Sequence, residues 1–234
     1  MTFNPLALLL LGSLIFSTPL MATPYQNIWG QLLQRHVTQT QTKGINTTLV
    51  DYEQLGQSPS FLSLVRYLEQ AQIPKEKDEA FFFWLDAYHM AMVKAFGVYT
   101  DIHNDFYNTP LIHISGIPMS LSMIKTQIDA LTNEPISLVL TDGTLGSPDF
   151  PISHVRNTNA DNYCKERVQA MLKNNSKGLK IESNTRMLYA SQHVVDALGN
   201  NWIQAPQVLA ALDNINPNEY SLKILPYDQT PNRR

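Results

Sequence analysis

One cysteine in 234 residues leaves no intramolecular disulfide to build a fold around. Charge is also sparse. Asp, Glu, Lys and Arg make up 16% of the chain, and 17 basic residues against 20 acidic ones leave a net charge of -3. That balance lacks the basic footprint that nucleic acid or an anionic membrane surface requires. The ten glycines form neither a G-x-G-x-x-G nor a Walker-type loop, so no phosphate cradle is readable. Internal repeats, low-complexity blocks and runs of like charge are missing too. No apolar run reaches the roughly 20 residues of a membrane-spanning helix.

The first apolar run, residues 6–16 (LALLLLGSLIF), is 11 residues long, the length of a signal-peptide core. Pro19 and then Leu20-Met21-Ala22 follow it, and a small residue at Ala22 suits a processing site. The expectation is a signal peptide over residues 1–22 and one exported domain over 23–234, periplasmic or secreted, with no membrane anchor after removal. The leading MTFNP carries no Lys or Arg, which leaves a buried N-terminal helix or a retained anchor as the alternative. No Cys follows the run, so lipid anchoring is excluded.

The content that remains is 44% hydrophobic and 9% aromatic, enough for a packed core and too much for a disordered chain. Residues 28–37 place Trp29, Leu32, Leu33 and His36 on one helical face, and residues 61–71 do the same with Phe61, Leu64, Val65 and Leu68. Residues 31–42, polar and rich in Gln and Thr, read as a loop ending the first helix. Residues 78–97 (DEAFFFWLDAYHMAMVKAFG) open on two acids, close on glycine and are apolar almost throughout, which predicts a helix buried on every side. Residues 111–115 read as a short strand, Gly116-Ile117-Pro118 as a turn, and Ser120 as a helix cap. Residues 136–141 (ISLVLT) read as the best strand, left by a loop over 142–151. Helix is expected at 161–173 and 191–198, and strand at 179–181, 187–189 and 220–225. The predicted class is α+β, one globular domain with a central buried helix (78–97) packed against a small sheet.

Several residues could carry chemistry. Asp86 and His89, three apart, share a face of the central helix, and a carboxylate beside an imidazole can orient a base or hold a metal. The bland alternative is that the two satisfy each other in the core, because an unpaired buried charge is costly. The Asp101-Ile102-His103-Asn104-Asp105 stretch with His113 fits no metal-ligand spacing and reads as a solvated loop. Asp142, Ser147 and Asp149 lie in the loop leaving the predicted strand, where functional residues collect. Cys164 lies in a predicted helix and reads as a small packed hydrophobe. Ser191, His193 and Asp196 share one helix with no nucleophile elbow.

Trp29-x-x-Leu32-Leu33, Val50-Asp51-Tyr52-x-x-Leu55, Phe83-Trp84-Leu85-Asp86-Ala87-Tyr88-His89, the stretch from Leu121-Ser122, residues 136–148 and Leu225-Pro226-Tyr227-Asp228 with Asn232 occur in one order. In that order and spacing the chain resembles the bacterial domain-of-unknown-function family 547. Its F-W-I-N-A-Y-N helix corresponds to Phe83 through His89, and its closing L-P-Y-D-W-S-L-N to the tail, where Gln229 and Pro231 stand for Trp and Leu. The departures fall on polar positions. The two Asn of the family helix are Asp86 and His89 here, its Glu-His pair is Lys125-Thr126, its strand His is Ser137, and its two Cys are Asp142 and Ser147. The resemblance therefore implies a degenerate member, stripped of any thiolate nucleophile and activating imidazole, with no cofactor and no metal. Whether it is an enzyme stays open, weighted toward a non-catalytic binding or accessory module for a small molecule, peptide or protein. Its cleft lies between the central helix and the Asp142 loop, with Ser147, Asp149, Tyr227 and Asp228 as binding residues. The alternative is a hydrolase using Asp86, His89 and Asp142, with or without a metal.

Overall fold

The computed structural model describes residues 24–99, 104–154 and 158–234. The apolar run at 6–16, the processing site after Ala22 and most of the Asp101 to Asp105 cluster lie outside them. In chain order the elements are α1 (Pro24–His36), β1 (Val37–Thr42), β2 (Ile45–Val50), α2 (Tyr52–Gln57), α3 (Pro59–Gln70), α4 (Lys77–Val98), α5 (Asn104–Asn108), β3 (Ile112–Ile114), β4 (Ile117–Met119), α6 (Leu121–Asp129), α7 (Ala160–Lys173), β5 (Leu179–Glu182), β6 (Met187–Ser191), α8 (Gln192–Leu198), α9 (Pro206–Leu212) and β7 (Ser221–Leu225). This is the mixed α+β class expected. The strands form two antiparallel hairpins, β1–β2 and β3–β4, and a sheet ordered β5-β6-β7, in which β6 and β7 run parallel.

Every residue of α4 from Ala80 to Val93 is buried. A helix apolar on all sides can be stable only inside other elements, and α2, α6 and α7 pack against it. Its first turn carries Asp78 and Glu79, which complement the helix dipole. Asp78 also reaches out of the helix to accept the Ala160 N–H at 3.0 Å, pinning the start of α7. The amphipathic faces of α1 and α3 follow the predicted spacing: Trp29, Leu32, Leu33, Phe61, Leu64 and Leu68 are all buried.

Three sequence expectations are corrected. Residues 37–42 are strand β1, not loop; the threonines and glutamines of a two-stranded hairpin need not be apolar, because its outer face is solvated. The turn before Ser120 sits at Ser115 and Gly116, both with positive φ (52° and 77°), so Ile117 and Pro118 belong to β4. Residues 136–141 form no strand. Pro135 opens a 3-10 turn, Ile136–Leu138, and residues 138 to 141 are buried without a strand partner among the described residues. A short apolar run is compatible with any buried backbone, and periodicity alone does not discriminate.

The C-terminal segment works as a strap. Its Thr230 and Asp228 carbonyls accept from Leu145 N (2.8 Å) and Gly146 N (3.0 Å), and Asn232 N donates to Gly143 O (2.8 Å). On its other edge Val50 N donates to Asn232 O and Arg234 N to Val50 O, both at 2.9 Å. The strap thus holds the Asp142 loop to the β1–β2 hairpin. Asn232, 1% exposed, also takes the Tyr52 hydroxyl on its Oδ1 at 2.7 Å.

Candidate functional site

Beneath the Asp142 loop lies a cavity of about 300 Å³ whose polar lining comes from Tyr88, Tyr107, Ser122, Lys125, Ser137, Asp142 and His193. Local sequence sets each of these. Ser120 caps α6 by accepting from Met123 N, and the helix buries Leu121, Ile124 and Ile128, which leaves Lys125 on its flank. The 3-10 turn buries Ile136 and Leu138 and turns Ser137 to the cavity. Ser191 caps α8 two residues before His193.

The carboxylate of Asp142 is heavily bonded. Its Oδ1 accepts from Thr144 N (3.0 Å) and Thr144 Oγ1 (2.6 Å), and its Oδ2 accepts from the Tyr227 hydroxyl on the strap. The main chain beside it is held from α4 and α5: Tyr88 donates to Thr141 O at 2.9 Å and Tyr107 to Asp142 O at 2.6 Å. Burial, reinforced by the nearby Asp142 charge, pushes all three phenols above the ordinary tyrosine range, so they stay protonated donors. The Tyr227 ring stacks on His193 with centroids 5.0 Å apart and an interplanar angle of 21°. His193 Nε2 lies 2.8 Å from Ser137 O. A carbonyl can only accept, so Nε2 carries a proton and donates it. Lys125 Nζ donates to Ser137 Oγ at 3.0 Å and has no carboxylate at ion-pair distance among the described residues.

Gly143 sets the loop's approach to α4. Its φ is +85°, and a Cβ there would sit 2.5 Å from the Phe96 ring. At Gly44 in the β1–β2 turn, φ is +77° but a Cβ would meet nothing within 4 Å. Gly143→Ala is therefore expected to be more destabilising than Gly44→Ala by about 1–3 kcal/mol, the overpacking component alone, in urea denaturation. Equal effects would mean that the Phe96 contact yields freely.

The sequence-predicted residues separate into groups. Asp86 and His89 share a face, but they do not pair with each other. Asp86 Oδ2 lies 3.1 Å from His154 Nε2, and the His89 ring packs on Phe150 at 4.9 Å. They open on a second cavity of about 160 Å³, also lined by Tyr163 and Arg167. Tyr88, between them in sequence, points to the opposite side of α4, as a 3.6-residue repeat requires. The Asp142 cavity is on Tyr88's side, so Asp142 is not brought into the cavity of Asp86 and His89. Ser147 is fully buried, its hydroxyl bonded to Thr141 Oγ1 at 3.0 Å and Thr144 O at 2.9 Å. Asp149 accepts from Lys177 Nζ (2.7 Å) and Thr48 N (3.0 Å), and Asp228 from Thr230 N (2.8 Å) in the strap's own turn. Cys164 is buried in α7, and burial pushes its thiol up to about 11, the opposite of an activated cysteine. Asp105 and His113 are exposed, and among the described residues no group of three or more His, Cys, Asp or Glu could hold a metal ion. Ser191 and Asp196 are used locally, as a cap and as an acceptor for Gln192.

Tyr88, Tyr107 and Ser122 line the site without having been candidates, and Lys125 and His193 enter it in a different grouping from the one the sequence suggested. No local pattern marks the grouping, because these residues meet only through α4, α5, α6 and α8. No protein-family profile, curated protein or solved structure matches this chain.

Proposed function

We propose that this protein is an exported, non-catalytic binding module whose ligand occupies the cavity beneath the Asp142 loop. The observation carrying this is that Lys125, Ser137 and Asp142, three positions where the resemblance to family 547 expects reactive or polar partners, all line one cavity. What stands there is suited to recognition. Thr144 and Tyr227 hold the Asp142 carboxylate in place, its Oδ2 by a single hydrogen bond, while Lys125 and His193 line the same space. Export rests on the apolar run at residues 6–16 and the Leu20-Met21-Ala22 processing pattern.

A second reading comes from the 3.0 Å contact of Lys125 Nζ with Ser137 Oγ, the composition of a Ser–Lys dyad. In this contact the ammonium donates to the hydroxyl oxygen, the reverse of a base removing its proton, so binding is the preferred reading.

A thermal-shift panel of organic acids, amino acids, peptides and glycan fragments tests the proposal. A bound ligand at 100 times its dissociation constant adds about 2.7 kcal/mol, seen as several degrees in melting temperature. Stabilisation that disappears in the cavity-filling variants Ser137→Trp and Ser122→Phe is the expected result. Labelling of Ser137 by a fluorophosphonate, lost in Lys125→Met, would favour the dyad instead.

A further inference from the structure

Resting on that reading, we propose that the ligand is a zwitterion, a free α-amino acid with its carboxylate on Lys125 and its ammonium on Asp142. The cavity presents one group of each charge and leaves each with unused capacity. Lys125 Nζ has three N–H donors, of which Ser137 Oγ takes one, and it has no carboxylate partner among the described residues. Its helix neighbour Asp129, one turn on, is exposed and makes no ion pair with it. An ammonium so placed is matched by a carboxylate in a charge-assisted hydrogen bond.

The Asp142 carboxylate, in the same cavity, has room for a cation. A carboxylate offers about four lone-pair positions. Asp142 Oδ1 fills two of its own with Thr144 N and Thr144 Oγ1, whereas Oδ2 has only the Tyr227 hydroxyl. A plain carboxylic acid would answer Lys125 and leave the Asp142 charge facing an anion. A plain amine would do the reverse. Only a ligand carrying both charges satisfies both Lys125 and Asp142, and specificity comes from the unpaired charge any other ligand leaves behind. Size agrees: about 300 Å³ is the lower end for ligand pockets and holds about ten waters. Leu121, Leu140 and the Tyr88 and Tyr107 rings supply the remaining wall, which suits an apolar side chain.

The test matches ligand deletions to residue deletions by titration calorimetry on the full chain. The probes are L-leucine, L-leucinamide without the carboxylate, N-acetyl-L-leucine without the ammonium, and the dipeptide Leu-Leu. Wild type is expected to bind leucine about tenfold or more tightly than either derivative, the scale of one charge-assisted hydrogen bond. Lys125→Met should lose the preference for leucine over leucinamide. Asp142→Asn, which keeps an acceptor for Thr144, should lose the preference for leucine over N-acetyl-leucine. The inference is overturned if a derivative binds as well as leucine, if the matched preferences survive the substitutions, or if only the dipeptide binds. Binding of some other class, abolished by Ser137→Trp, would overturn it while leaving the binding-module reading intact. An absence of any ligand would remove both.

Discussion

Asp149→Ala is expected to lower folding stability by about 3–5 kcal/mol, the range for leaving a buried charge without its partner. The Lys177 side chain is 2% exposed, and its ammonium lies 2.7 Å from Asp149 Oδ1 and 3.1 Å from Thr47 Oγ1. Asp149 is different: at 28% exposure it keeps access to water and also accepts the Thr48 N–H. The two halves of the pair are therefore unequal. Removing Asp149 strands a cation in the core, whereas Lys177→Met leaves a carboxylate that is still solvated and bonded. The methionine variant should cost less than half as much, and Asp149→Ala with Lys177→Met together should resemble Lys177→Met alone. Burial already lowers the Lys177 pKa, with the Asp149 charge opposing that shift, so the stranded lysine would shed its proton and limit the loss. Equal costs for the two single variants in urea denaturation would contradict this. The pair links the β1–β2 hairpin to the start of β5, so Asp149 acts as a structural pin.

The second large effect is on pH. His89 is 2% exposed, and burial lowers its pKa to about 4, against the pull of Asp86. The unfolded chain takes up that proton near 6.5, so between about 4 and 6.5 it binds more protons than the folded protein, and stability falls as pH falls. The full loss is about 3–4 kcal/mol, from roughly 2.5 pH units at 1.4 kcal/mol each. His36, lowered by burial as well, adds in the same direction. Asp161, Glu182 and Asp228, whose pKa values are lowered from 3.8, 4.5 and 3.8, act only below about pH 4.5. The slope between pH 4.5 and 6.5 thus belongs to the histidines. His89→Asn should flatten most of it in urea midpoints measured across that window. A slope as steep in the variant as in wild type would show that His89 is protonated in the fold.

How far the sequence reached depends on whether the information was local. The extent of α4 was legible because a helix apolar on every face has one solution, and the Ser120 cap because its hydroxyl acts three residues away. Residues 136–141 were misread because burial without alternation does not specify strand over turn. Helical spacing correctly placed Asp86 and His89 on one face, but the mutual pairing expected of them does not form. Their partners are His154 and Phe150, brought in from over 60 positions away. The resemblance pointed to Asp142 and Tyr227, and these do meet, across 85 positions. Tyr107 had no such pointer, and nothing local joined Lys125 to His193: a tyrosine or a lysine on a short helix is unremarkable until a cavity collects them.

The account stands most directly on whether the cavity beneath the Asp142 loop is where ligand binds. Melting curves of wild type and Ser137→Trp with and without saturating L-leucine decide it. The predicted result is a rise of several degrees in wild type and none in the filled variant, which should otherwise melt near the wild-type temperature. An equal rise in both would place the ligand elsewhere and contradict the account.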